Sequence, residues 1–289
     1  MGDRLTRRDW ISACALLSSS VGRAQTAPLT ASDVVERIKA NVGVPWSERT
    51  VDSIIAGDPD TVVRGIATTM MATLDVIERA AAENKNFLVT HESTFFSHRD
   101  DVSQLGDDPM YRLKREAIEG HDMVVFHFHD HWHRRRPDGI AVGMARELGW
   151  EEYAAEDDPR QFAMPPTKLR ALAASVKSKL GADTVRVLGD PDLVIRNVKA
   201  SWGYVSQFPG IPFAAAEETD LLIVGETREW ELVEYVEDMV TSGRSKALIL
   251  IGHIASEQAG MKYCAEWLES FITEAPITFI PTGEPFWAP

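Results

Sequence analysis

Short apolar runs recur along the chain, each too brief for a helix that buries one face. They are the Phe87, Leu88 and Val89 of NFLVTHE, the opening of MVVFHFH, and the runs in DLLIVGE and ALILIGH. Runs of this length bounded by polar residues predict strands. Between them the apolar positions fall at helical spacing. Leu74, Ile77, Ala80 and Ala81 share a face, and so do Leu113, Ala117 and Ile118 in a helix that Asp108-Pro109 opens and Gly120 closes. Asp138 opens another helix carrying Ile140, Met144 and Leu148 up to Gly149, and Leu169, Leu172, Val176 and Leu180 mark a fourth. Cys264, Trp267, Leu268 and Phe271 line a last helix that begins near Glu257. Short apolar strands alternating with helices predict an α/β fold with much parallel pairing.

The pattern occurs twice. Gly57-Asp58-Pro59-Asp60-Thr61-Val62-Val63-Arg64 returns as Gly189-Asp190-Pro191-Asp192-Leu193-Val194-Ile195-Arg196, each a Pro-containing turn leading into a β-branched strand. In each half a strand ending in an acid follows, Glu92 or Glu226, and then a strand ending in a histidine, His129 or His253. Each of those histidines has a second candidate ligand four residues on, His133 and Glu257. The expected architecture is two related α/β halves, residues 25–150 and 151–289, packed as one unit with a site between them.

Residues 1–24 stand apart. A charged start, a mildly apolar run from Trp10 to Val21 and small residues near Ala24 predict a cleaved signal peptide, and Arg7-Arg8 resembles a twin-arginine export signal. The run is too short for a stable membrane anchor. The expected location is therefore periplasmic or secreted. These 24 residues carry four Arg and two Asp, so the remainder has 26 basic and 42 acidic side chains, a net charge of −16. Such a surface repels phosphate backbones and argues against nucleic-acid binding. Of the two cysteines only Cys264 then remains, which excludes an intramolecular disulfide; its expected place is packed in a helix.

Ligands of open α/β sheets gather beyond the carboxyl ends of the strands. His91, Glu92, His129, His133, His253 and Glu257 all fall at or just past such ends. Imidazoles and carboxylates without thiolate suit Zn, Mn, Fe, Ni or Co. Six donors can serve two divalent ions roughly 3.5–4 Å apart, with Glu257 the natural shared ligand. Neighbours on a strand point to opposite faces, so His91 and Glu92 both reach the ions only if the chain turns there. In the stripe VVFHFHDHWHRR, Asp130, Trp132 and the following arginines end the strand near His129. His127 is then either a group supporting the ligands or a buried partner, and the role of His131 stays open. Glu226 reads as a catalytic base, an orienting acid or a helix cap. His98 and His121 read as solvated loop residues, and Trp202 to Tyr204 as a structural turn or, failing that, the lining of a pocket.

The same residues resemble the Nif-three-like family, dinuclear-metal proteins that go by the name type 2 GTP cyclohydrolase I. The match runs through Thr90-His91-Glu92, His129-x3-His133, Gly189-Asp190-Pro191, Gly225-Glu226 and Gly252-His253-x3-Glu257, over nearly all of the chain from about residue 30. The resemblance implies a pair of ions between two α/β halves and a toroidal hexamer with sites facing its cavity. Two positions depart from the family pattern: Glu92 replaces its second histidine, and His133 replaces its aspartate. The expected function is metal-dependent hydrolysis of a small molecule, with Glu226 as base or orienting group. GTP is a poor candidate for an exported protein. The alternatives are a non-catalytic metal-binding or scaffold ring, and a histidine-based pH switch.

Overall fold

The structure, a computed structural model, describes residues 28–287; the export signal read in residues 1–24 lies outside them. The N-terminal half runs α1 (Ala31–Asn41), β1 (Ser53–Ala56), β2 (Ile66–Thr69), α2 (Leu74–Ala82), β3 (Phe87–Thr90), α3 (Pro109–Gly120), β4 (Val124–His127), α4 (Asp130–Arg134) and α5 (Gly139–Leu148). The C-terminal half runs β5 (Gln161–Lys168), α6 (Leu169–Leu180), β6 (Arg186–Leu188), β7 (Val194–Tyr204), α7 (Gln207–Ala215), β8 (Leu221–Glu226), α8 (Glu234–Thr241), β9 (Ala247–Leu250), α9 (His253–Glu269) and β10 (Ile277–Phe279). Among the described residues no helix is long and apolar enough to cross a membrane.

The strands form two five-stranded sheets, β1-β4-β3-β2-β10 and β5-β7-β8-β9-β6. In the first, β4, β3, β2 and β10 are parallel and β1 is antiparallel to β4. In the second, β7, β8 and β9 are parallel and β6 is antiparallel to β9. The order β1-β4-β3-β2 is thus repeated as β6-β9-β8-β7. The duplication reaches individual hydrogen bonds. Asp58 and Asp190 each accept the N–H of the residue two further on (2.9 Å in both), and Pro59 and Pro191 each accept an N–H from the first turn of the preceding helix, Ser32 or Arg170. The copies diverge after that turn: Val194 opens β7 directly, whereas Val62 makes only an isolated bridge to Thr30 and the strand starts at Ile66. The fifth strands also differ, because β10 at the end of the chain returns to pair with β2 of the first sheet.

Alternate residues of the central strands enter different cores. Phe87, Val89, Val124, Phe126, Leu221, Ile223 and Ile249 join one large cluster between the sheets, together with side chains of α1, α5, α6 and α9. Leu88 and Val125 face outward onto α2 and α3, and Leu222, Val224, Leu248 and Leu250 onto α7 and α8. Burial on both faces explains why these strands read as unbroken apolar runs rather than as alternating ones. α9 lies at the centre, against β2 and β10 on one side and β7 and β8 on the other. It crosses α5 closely. A Cβ on Gly143 would stand 2.3 Å from the Ala259 carbonyl oxygen, and one on Gly260 would stand 2.5 Å from the Ile140 Cα. Only glycines permit that approach.

Four expectations need correction. α9 begins at His253, not near Glu257, so both candidate ligands sit on its first turns. β4 ends at His127 rather than His129: the Phe128 N–H still bonds to the Thr90 carbonyl, but Asp52 takes the N–H groups of His129, Asp130 and His131 out of the ladder. Leu113 is exposed, and Lys114 is buried in its stead. The Lys114 stem packs on the inward face of α3 while its ammonium donates to the Thr94 carbonyl, a buried path that a hydrophobicity count misses. In addition, Trp202–Tyr204 belong to the end of β7 rather than to a turn.

Candidate metal centre

The site lies where β3, β4, β8 and β9 end. Thr90 and His127 are in register, so His91 and Phe128 leave the first sheet side by side. The chain bends at once: the His91 and Glu92 N–H groups are taken by the Thr69 and Met70 carbonyls, and both side chains turn towards the same space. α4 is pinned from two directions. Asp52, itself buried, accepts the N–H groups of His129, Asp130 and His131, each at 2.8 Å. Trp132 is fully buried over Gly139 and donates its Nε1–H to the Gly260 carbonyl at 3.3 Å, joining α4 to α9. The helix with His129 and His133 is thereby fixed against the helix with His253 and Glu257.

Four imidazoles are held in the same way. The Nδ1–H of His91 points to the Phe128 carbonyl (3.3 Å), that of His129 to Asp130 (3.1 Å), that of His133 to Asp138 (3.1 Å) and that of His253 to Glu226 (2.9 Å). Each Nε2 is left facing a carboxylate, and that of His253 faces two. Glu257 Oε2 stands 3.6 Å from His91 Nε2 and 3.1 Å from His253 Nε2, and its Oε1 stands 3.6 Å from His133 Nε2. Glu92 Oε1 stands 3.3 Å from His253 Nε2 and 3.9 Å from His129 Nε2. Ligands at ~2.0–2.1 Å from a common ion lie roughly 3–3.5 Å from one another, so small movements would close this cage on divalent ions. Oxygen partners on the far nitrogen are the usual support of metal-binding imidazoles.

Two further observations fit an ion. His91 Nε2 is fully buried yet has no hydrogen-bond partner, a costly arrangement unless a ligand completes it. At Gly203 the backbone has φ +69°, and a Cβ there would lie 2.5 Å from Glu257 Oε1. The end of β7 is hollowed to admit that carboxylate.

The side chains share their charges accordingly. Burial pushes Glu92 up, but the hydrogen bond from His253 and the nearby His91 outweigh it and bring it down to about 2. Glu257 behaves alike: burial opposes ionisation, yet His91, His133 and His253 hold it well below the usual carboxylate range. Burial lowers His133 and His253, but Asp138 and Glu257 lift the first to about 10, and Glu226, Glu257 and Glu92 lift the second to about 12. His129 goes the other way, to about 4, through burial and its neighbours His91 and His133.

All six candidate ligands therefore converge, and Glu226 adjoins them through His253. Glu226 is no helix cap: it ends β8, half-exposed on the wall of a cavity of about 530 Å³ that also touches Leu250, Ile254 and Phe286. His131 does not reach the site. Its ring stacks on Trp46 (3.8 Å, 3°), its Nδ1–H goes to Asp52 at 2.6 Å and its Nε2 accepts the Ser47 N–H, so it holds the 46–52 segment against α4. His121 pairs with Glu78 after α3. His98 is not merely a solvated loop residue: its ring centroid is 4.9 Å from that of His129, and Glu92, His98 and His129 form a possible donor group. Sequence reasoning also missed Asp52, Asp130 and Asp138. Asp138 was legible as a helix cap, which its Oδ1 is, while its Oδ2 serves His133. Cys264 is buried in α9 as expected, and burial pushes its thiol up.

The GTP cyclohydrolase 1 type 2 homolog of Chlamydia pneumoniae is 24% identical over 242 residues, covering 80% of this chain and 88% of that protein. The homolog of the same name from Chlamydia trachomatis is 22% identical over 250 residues, covering 83% and 93%. Among solved structures, Staphylococcus aureus hypothetical protein SA1388 superposes with a TM-score of 0.72 at 17% identity, over 90% of this chain and 99% of that one. Reduced HcgD from Methanocaldococcus jannaschii gives 0.63 at 16%, over 87% and 97%. At such identities the structures show the fold alone. The profile of the Duf34/NIF3 (NGG1p interacting factor 3) family matches residues 29–285, and the chain belongs to that family.

Proposed function

We propose that this protein is an exported hydrolase of a small molecule that works with two divalent ions held by His91, Glu92, His129, His133, His253 and Glu257. One observation carries the reading: four imidazoles with their Nδ1 protons anchored on oxygen turn their Nε2 atoms towards two carboxylates, the buried Glu257 and the half-buried Glu92. Divalent ions bound there would supply Lewis acidity for hydrolysis near neutral pH. Glu257 is placed to be shared, since its two oxygens face different histidines. Glu226 remains ionised and orients His253; half-exposed at the cavity wall, it is also suited to take a proton from the water that hydrolysis consumes. The cavity fits a small molecule whose reacting end meets His253 and Glu226 and whose body lies along Leu250, Ile254 and Phe286. Residues 1–24 support export, and the resemblance supports a hexameric ring, in which exposed aromatics such as Phe208 and Trp230 would find partners.

Elemental analysis of unchelated protein, followed by a hydrolase panel with and without chelator, tests the proposal. Two ions per chain and a chelator-sensitive turnover are expected. Two ions with no turnover across the panel would favour the second reading, a metal-binding or scaffold ring, which the same cage also supports. A chain with no ion would defeat both.

A further inference from the structure

His98 stands in the long connection between β3 and α3. Glu92 divides the space between two donor groups. Its Oε1 faces His253 and His129, and its Oε2 points the other way, 3.9 Å from His98 Nδ1. The His98 and His129 rings meet edge to face with centroids 4.9 Å apart. Glu92, His98 and His129 can bring one donor atom each within 4.8 Å of the others, a second group that shares His129 with the group His91, His129 and His133.

The position of His98 is built into the fold. Asp100, two residues on, adopts φ +51° and takes the N–H groups of Thr94 (2.7 Å) and Phe95 (2.6 Å) on Oδ1. Its Oδ2 lies 3.1 Å from Nδ1 of His127, and both of these side chains are buried. Lys114 of α3 adds a bond to the Thr94 carbonyl. The segment is tied to β4 and to α3 on either side of His98. His127, the histidine of the stripe that does not enter the cage, thus acts through Asp100 as a strut beneath it.

We infer that His98 is a ligand of the outer of the two ions, completing a site with Glu92 and His129, and that the Asp100–His127 contact positions it. The inference rests on the dinuclear reading above but does not depend on catalysis. Without His98 the outer ion would keep Glu92, His129 and the His253 that faces the same Glu92 oxygen, one donor fewer. The inner ion, among His91, His133 and Glu257, would be untouched.

The test is a calorimetric titration of chelator-stripped, full-length protein with Zn2+ and with Co2+, with the visible spectrum of the Co2+ form recorded at one and two equivalents. In His98→Ala the second binding event is expected to weaken at least ~10-fold while the first is unchanged. The spectrum should change only at the second equivalent, and added imidazole should restore it. His98→Asp, which returns an oxygen donor, should recover part of the affinity with a shifted spectrum. His98→Ala that binds both ions as tightly as the wild type overturns the inference and leaves the dinuclear reading standing. A wild-type chain that takes up no ion overturns both.

Discussion

Raising the pH from 6 to 8 should tighten metal binding steeply, and the structure sets the size of the effect. Without ions, His133 and His253 are held protonated by Asp138, Glu257, Glu226 and Glu92, at about 10 and about 12, whereas Glu92, at about 2, is already ionised at neutral pH. An ion needs the lone pair of each Nε2 and must expel these two protons. Each released proton contributes about 1.4 kcal/mol per pH unit. Two protons across two pH units amount to about 5 kcal/mol, or roughly 10^4-fold in the product of the two binding constants. Titration calorimetry at pH 7 in buffers of different ionisation enthalpy counts the protons directly, and about two per pair of ions are expected. The ion-free chain should show the opposite trend. A histidine raised on folding stabilises the fold fully below its unfolded value, about 6.5, and loses that contribution as pH rises through the folded one. The melting temperature of stripped protein should therefore fall from pH 7 towards pH 10. Binding that releases no protons and is flat between pH 6 and 8 would refute this account of the site.

Other substitutions probe its supports. Gly203→Ala places a methyl 2.5 Å from Glu257 Oε1 at φ +69°; a cost of ~1–3 kcal/mol in urea unfolding is expected, with reduced metal content, and a variant as stable and as loaded as the wild type would count against the cradle. Asp52→Ala strands three N–H groups and the His131 ring. It should cost about 3 kcal/mol or more and lower metal affinity, because α4 loses its anchor. For the export signal, replacing Arg7 and Arg8 by Lys should leave the protein in the cytoplasm on cell fractionation, and unchanged export would remove that signal from the account.

How much of the site the sequence disclosed depended on the range of the interactions. Strand-end donors and helix starts are local, so His91, Glu92, His129, His133, His253 and Glu257 stood out as candidates through order and spacing, and the duplicated turn pointed to two equivalent halves. His98 and His127 were not separable from ordinary histidines in that way. Their environment comes from Asp100, Glu92 and Lys114, which reach them only after the chain has doubled back. His131 looked like one more member of an alternating stripe until Asp52, 79 residues earlier, and Trp46 claimed it.

Pattern alone marked the central strands β3, β4, β8 and β9 and the helices α2, α3, α5, α6 and α9, because a strand buried on both faces and an amphipathic helix announce themselves in the periodicity of their own side chains. It also settled which residue types were at hand for chemistry. Tertiary structure alone decided which atoms meet. The glycine contact of α5 with α9, the Trp132 lock and the return of β10 to the first sheet bring the ends of β3, β4, β8 and β9 to one point. Such contacts join residues far apart in the chain, and their energies depend on packing and burial that no local window contains.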